Sequence, residues 1–126
     1  MRLKFPIFEA ENAFMESSPL PLILYLPRWY PSTADPMLGL FVKKHARAAV
    51  AAGFRVVVVF VFPSADRKMK GMFSTAIRQE DGLTEIFVTW RKETGPAAIA
   101  RQLTAWSLGI ETAEKQCGKP ALIHAH

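Results

Sequence analysis

With one cysteine in 126 residues, Cys117, the chain has no internal disulfide to form. This excludes the disulfide-framed secreted domains, and the position of Cys117 near a helix end reads as a small packed side chain. Long hydrophobic runs are missing as well. The longest, Val56 to Phe62, is far short of the roughly 20 residues that a membrane-spanning helix needs. Residues 1–21 mix Arg2, Lys4, Glu9, Glu11 and Glu16 into their apolar stretches, so no signal peptide is read there. A cytoplasmic location, with peripheral membrane attachment as a variant, is the simplest expectation. The dinucleotide fingerprint G-x-G-x-x-G is absent, and no serine stands in a nucleophile-elbow context. Asp35, Glu80, Asp81 and Glu85 fall in loops or a hairpin without evident convergence, which sets aside the paired carboxylates of glycoside hydrolysis. Basic charge without a recognition motif gives no reason to expect a nucleic-acid partner.

The chain does have the composition of a folded domain. Half of its residues are apolar and 21% are charged, with length for one modest core. The formal charge of +5 is concentrated between Arg28 and Lys70. There eight basic residues face only Asp35 and Asp66. Such an excess attracts anionic lipid or phosphorylated ligands, or is simply a solvated helix face.

Residues 1–21 read as a loosely ordered leader. Leu22–Leu26 is a buried strand closed by Pro27. A loop of about twelve residues follows, long for a strand-to-helix connection, which favours a functional role. A helix from about Leu40 to Ala52 carries Val42, Ala46, Ala49 and Val50 inward, with Lys43, Lys44 and Arg47 outward, and Gly53 ends it. Arg55–Phe62 is the second strand, parallel to the first across a right-handed crossover. Alternation at Thr75–Glu80 and Leu83–Trp90 around Asp81-Gly82 marks a type I′ hairpin, with Ile86, Val88 and Trp90 on one face and Glu85, Phe87 and Thr89 on the other. A long helix opens at Gly95-Pro96 with Ile99, Leu103, Trp106, Ile110, Ala113 and Cys117 as its buried stripe. Gly118 and Lys119-Pro120 end it, and from Ala121 the chain enters a short buried parallel strand that delivers His124 and His126 to its carboxyl end. The fold class is α/β, a Rossmann-like doubly wound, mostly parallel sheet with a β-hairpin. Its last strand has a free edge, from which self-association is expected.

In such sheets ligands sit beyond the carboxyl ends of the strands. Two groups of candidates fall there. The first loop holds Arg28, Trp29, Tyr30 and Gly39. Gly39 at a helix start either lets an anion approach the backbone or relieves a tight turn. Trp29 and Tyr30 either stack on a sugar ring or cover the end of the sheet. The second group is His124 and His126, which share one side of the last strand. Imidazole donates or accepts near neutral pH, which suits a hydroxyl or a phosphate, with His126 at the mouth and His124 further in. His45 is the only other histidine, so no metal ligand set is evident.

Leu24-Tyr25-Leu26-Pro27-Arg28-Trp29-Tyr30-Pro31-Ser32, Asp35-Pro36, Gly39-Leu40-Phe41-Val42 and His45-Ala46 resemble the opening of the family 4 retaining glycosyltransferases. Gly118-Lys119-Pro120-Ala121-Leu122-Ile123-His124-Ala125-His126 is similar to that family's G-x-P-D-[LV]-I-H-A-H segment, with Ala121 in place of the aspartate. The resemblance covers roughly residues 21–126. It implies an incomplete amino-terminal, acceptor-side domain of the two-domain GT-B architecture. The domain that grips the nucleotide-sugar through E-x7-E lies outside these residues. It further implies transfer of a sugar, with retention, from a nucleotide-sugar to a glycan or lipid-linked acceptor, without a metal or other cofactor. Gly39 would meet the donor phosphate, and His126 would be the catalytic histidine, with His124 its neighbour. Lys43, Lys44 and Arg47 would face the membrane. Residues 1–126 alone are expected to be inactive. The alternative is a non-catalytic α/β module that binds a phosphorylated ligand or a partner protein through the same loop.

Overall fold

The computed structural model describes residues 20–32, 35–64 and 69–125. Seven elements follow one another: β1 (Leu22–Leu26), α1 (Leu40–Ala51), β2 (Arg55–Ser64), β3 (Phe73–Glu80), β4 (Leu83–Arg91), α2 (Pro96–Cys117) and β5 (Leu122–Ala125). The strands form a five-stranded sheet in the order β3-β4-β2-β1-β5. All neighbours are parallel except the β3–β4 hairpin. At its turn Asp81 and Gly82 both have positive φ, 48° and 83°, as a type I′ turn demands.

Strand alternation sorts the core into two layers. Leu22, Leu24, Val57, Val59, Ile86, Val88 and Trp90 face α2. Ile23, Tyr25, Val56, Val58, Phe60 and Leu83 face α1, with Val42 and Ala46 inward from that helix. One helix on each side makes the sheet doubly wound, and β1 lies at its switch point. From β1 the sheet runs one way through β2 and β4, and the other way to β5.

Of the expected leader, residues 1–19 lie outside the described residues. Leu20 and Pro21 are tied to the sheet: the Arg55 backbone N–H donates to the Pro21 carbonyl and its Nε to the Leu20 carbonyl. Nη1 of Arg55 also reaches the Cys117 carbonyl at 2.9 Å. One cation thus joins the start of β2 to the last turn of α2, where helix carbonyls are left without intrahelical donors.

The buried stripe of α2 is not the one its large residues suggest. Ala105, Gly109 and Ala113 are the buried positions, so of the expected stripe Ala113 is fully buried, whereas Ile99 and Leu103 are 63% and 64% exposed. Small residues at steps of four bring the helix axis close to the sheet. A Cβ on Gly109 would lie 2.4 Å from Cγ1 of Val59. Close approach sends Trp106, Leu108, Ile110 and Cys117 to the flanks, where they are partly buried. Among the described residues no helix is long and apolar enough to cross a membrane.

Candidate functional site

The carboxyl ends of β1 and β5 lie side by side. Leu26 is the register partner of Ala125, and Tyr25 that of His124. The rings of Tyr25 and His124 meet edge-on at 5.1 Å, on the α1 side of the sheet. The two segments that carry the glycosyltransferase resemblance, nearly a hundred residues apart, are therefore adjacent strands at the switch point. His126, the candidate catalytic residue, lies outside the described residues.

The loop leaving β1 has its own framework. The backbone N–H groups of Ser32 and Leu38 donate to the Asp35 carbonyl at 3.1 and 3.4 Å, and the Met37 N–H to the Asp35 carboxylate at 3.2 Å. An aspartate that folds the following backbone onto its own side chain is a turn former. Gly39 ends the loop with φ 62°, and a Cβ there would lie 2.3 Å from the Trp29 carbonyl oxygen. The close approach for which Gly39 lacks a side chain is made by the protein's own backbone. Its identity thus follows from the tight turn. Trp29 is 53% exposed, and the Arg28 guanidinium sits 5.1 Å over its ring. Together they form an exposed cation–π platform at the rim.

Tyr30 departs from the expected binding role. It is fully buried between Phe60 and Phe87, and its hydroxyl donates to Oε2 of Glu85. Of the two readings of this ring, covering the sheet is the one the structure adopts. Burial, followed by the bond to Glu85, holds its phenol well above the usual range.

Glu85 went unrecognised in the sequence. It is 1% exposed on β4 and accepts from three donors: the Tyr30 hydroxyl, Nζ of Lys43 at 3.2 Å and Nε of Arg78 at 2.8 Å. Burial alone would raise its pKa, but the bonds from Arg78, Tyr30 and Lys43 prevail and hold the carboxyl below its usual range. The bond to Glu85 likewise raises Arg78. The available signal was a lone carboxylate on the same strand face as Leu83 and Phe87. Alternation turns that face inward, where a charge needs partners.

The outward basic patch is corrected at Lys43. Its side chain is only 17% exposed and points to Glu85, because the helix face one step from Val42 tilts onto β4. Arg47 pairs with Glu80. Lys44 is exposed and has no ion partner among the described residues. Among those residues no group of three His, Cys, Asp or Glu side chains could hold a metal ion.

No family model matches the chain, and it has no match among curated proteins or among solved structures.

Proposed function

We propose that the domain is the acceptor-side, amino-terminal part of a retaining glycosyltransferase of GT-B type, acting at the rim where β1 and β5 end. It would take a sugar from a nucleotide-sugar donor to a glycan or lipid-linked acceptor. The observation that carries this reading is the pairing of Leu26 with Ala125. It brings the strand that leads into the W-Y-P loop beside the strand that carries His124, and the segments to which the two belong each resemble the same family independently. In this reading Arg28 and Trp29 form the sugar platform, since an indole face and a cation suit a ring bearing hydroxyls. His124 lies on the neighbouring strand, and His126 handles the hydroxyl proton of the acceptor. Tyr30 supports the rim from below through Glu85. A cytoplasmic enzyme touching the inner membrane face through Lys44 accords with this role.

The test assays the product of the reading frame that holds these residues with a panel of radiolabelled nucleotide-sugars. Transfer with retained anomeric configuration is expected. His126→Ala should abolish turnover, whereas Trp29→Ala should raise the acceptor KM more than it lowers kcat. Residues 1–126 alone should show no turnover, because in that family a second α/β domain grips the donor. Undiminished activity of His126→Ala, or transfer by residues 1–126 alone, would overturn the assignment.

A further inference from the structure

The α1 side of the sheet carries an open concavity of about 530 Å³ between α1, the loop leaving β1 and the edge strand β3. Leu40, Lys43, Lys44 and Arg47 line it from one helix face, and Arg78 from β3. Four cations therefore converge there, answered among the described residues by two carboxylates, Glu85 and Glu80. Lys44 is left over. Among the described residues Arg78 is engaged through its Nε on Glu85, which leaves the donors on its terminal nitrogens for a ligand. The Ser32 hydroxyl oxygen, also in the lining, accepts from the Asp35 N–H at 3.3 Å, which leaves its proton to donate.

A second concavity of about 280 Å³ shares Ser32 and Arg78 with the first. It has the opposite character: Phe62, Phe87 and Ala76 form its walls, and the Arg78 guanidinium lies 5.5 Å over the Phe87 ring. Arg78 is thus the joint between a cationic compartment and an aromatic slot. A solvated helix face accounts for neither the slot nor the way Glu85 anchors Lys43 and Arg78 from beneath. Anchored cations bind an anion with less ordering cost than free side chains do.

We infer that this double concavity binds a phosphate ester of an apolar alcohol or phenol. The phosphate lies among Lys43, Lys44, Arg78 and the Ser32 hydroxyl, and the organic group lies against Phe62 and Phe87. Planar guanidinium donors with ammonium charges suit phosphate oxygens, and the aromatic walls suit a ring or branched chain. The site shares the loop leaving β1 with the sugar rim but lies on the β3 side of that loop. β3 and β5 are opposite edges of the sheet, roughly 19 Å apart at four strand spacings. The inference does not rest on the sugar-transfer reading.

Calorimetric titration of the chain with 1-naphthyl phosphate and with inorganic phosphate tests it. The ester should bind at least ~10-fold more tightly than inorganic phosphate, because its ring leaves water. Lys44→Ala, on the exposed helix face, should weaken both ligands about 10-fold. Ala76→Gln, which fills the slot from the exposed edge strand, should weaken the ester and spare inorganic phosphate. Absence of saturable heat below ~10 mM ester, equal affinity for the two ligands, or an unaffected Lys44→Ala would overturn the proposal. Co-sedimentation with phosphatidic acid vesicles identifies the source of the ester. Binding that naphthyl phosphate displaces assigns a lipid headgroup, and no binding assigns an ester in solution. Vesicle binding that the ester fails to displace overturns the site in favour of a flat membrane contact.

Discussion

Replacing Glu85 with alanine removes the acceptor shared by Tyr30, Lys43 and Arg78. The Tyr30 hydroxyl is sealed from solvent, and leaving it unsatisfied costs about 1–3 kcal/mol. Lys43, at 17% exposure, loses the counter-charge that compensated its partial burial. Arg78 is half-exposed and rehydrates, so its lost ion pair adds at most a few tenths of a kcal/mol. With the small void left beneath α1, the expected destabilisation is about 3–4 kcal/mol, at the lower end for breaking a buried ion pair. Tyr30→Phe should cost about 1 kcal/mol, and Glu85→Gln an intermediate amount, since it keeps one carbonyl oxygen but turns an amide toward cations. Urea unfolding followed by tryptophan fluorescence measures all three. A double-mutant cycle between Tyr30→Phe and Glu85→Ala should show coupling of about 1 kcal/mol. The pH dependence has a definite sign. Glu85 has a lowered pKa in the fold, so its contribution is complete above the ordinary glutamate value of about 4.3. It disappears as pH falls through the lowered value, and Glu85→Gln should lose that acid-side decline. A cost below ~1 kcal/mol for Glu85→Ala, or strict additivity in the cycle, would refute the network as a structural unit.

Two glycines give further tests. Gly109→Ala improves helix propensity by about 1 kcal/mol, yet its methyl would meet Val59 at 2.4 Å and Val88 at 3.1 Å. The net expectation is a loss of about 1–3 kcal/mol in thermal unfolding, and a stabilised variant would show that α2 does not sit so close to the sheet. Gly39→Ala meets both a positive φ and the Trp29 carbonyl, for a loss of at least ~2 kcal/mol. Gly39→Asn tolerates the backbone angle but not the carbonyl, so it should rescue little; full rescue would show that the angle alone demands glycine.

The strands and the hairpin were legible because their signals are local: the β-branched run at Val56–Val59, the Asp-Gly turn and Pro27 after β1. Boundaries moved only slightly. β2 continues through Pro63 and Ser64, β3 begins at Phe73, and β5 spans Leu122–Ala125. Where burial depends on distance between layers, pattern misled. On α2 the leucine and isoleucine spacing pointed to one face, but the alanine–glycine steps at 105, 109 and 113 permit the closer contact. The candidate site was partly legible for a similar reason. Arg28 and Trp29 stand at the rim as expected, and the strand that carries His124 lies beside β1. Tyr30 and Lys43 turned inward because Glu85, fifty-five residues from Tyr30 along the chain, needed donors. No local window contains that demand.

β5 has a further consequence for the rim. It is not the buried strand its apolar residues suggest: among the described residues its side chains are exposed along its length, because its ladder joins only β1, while β2 and β4 lie buried within the sheet. Segments with so few apolar contacts open at a small fraction of the global unfolding free energy. Anything that bridges the Leu26–Ala125 seam therefore lends its affinity to holding that strand shut. Occupancy and local order at the rim rise and fall together.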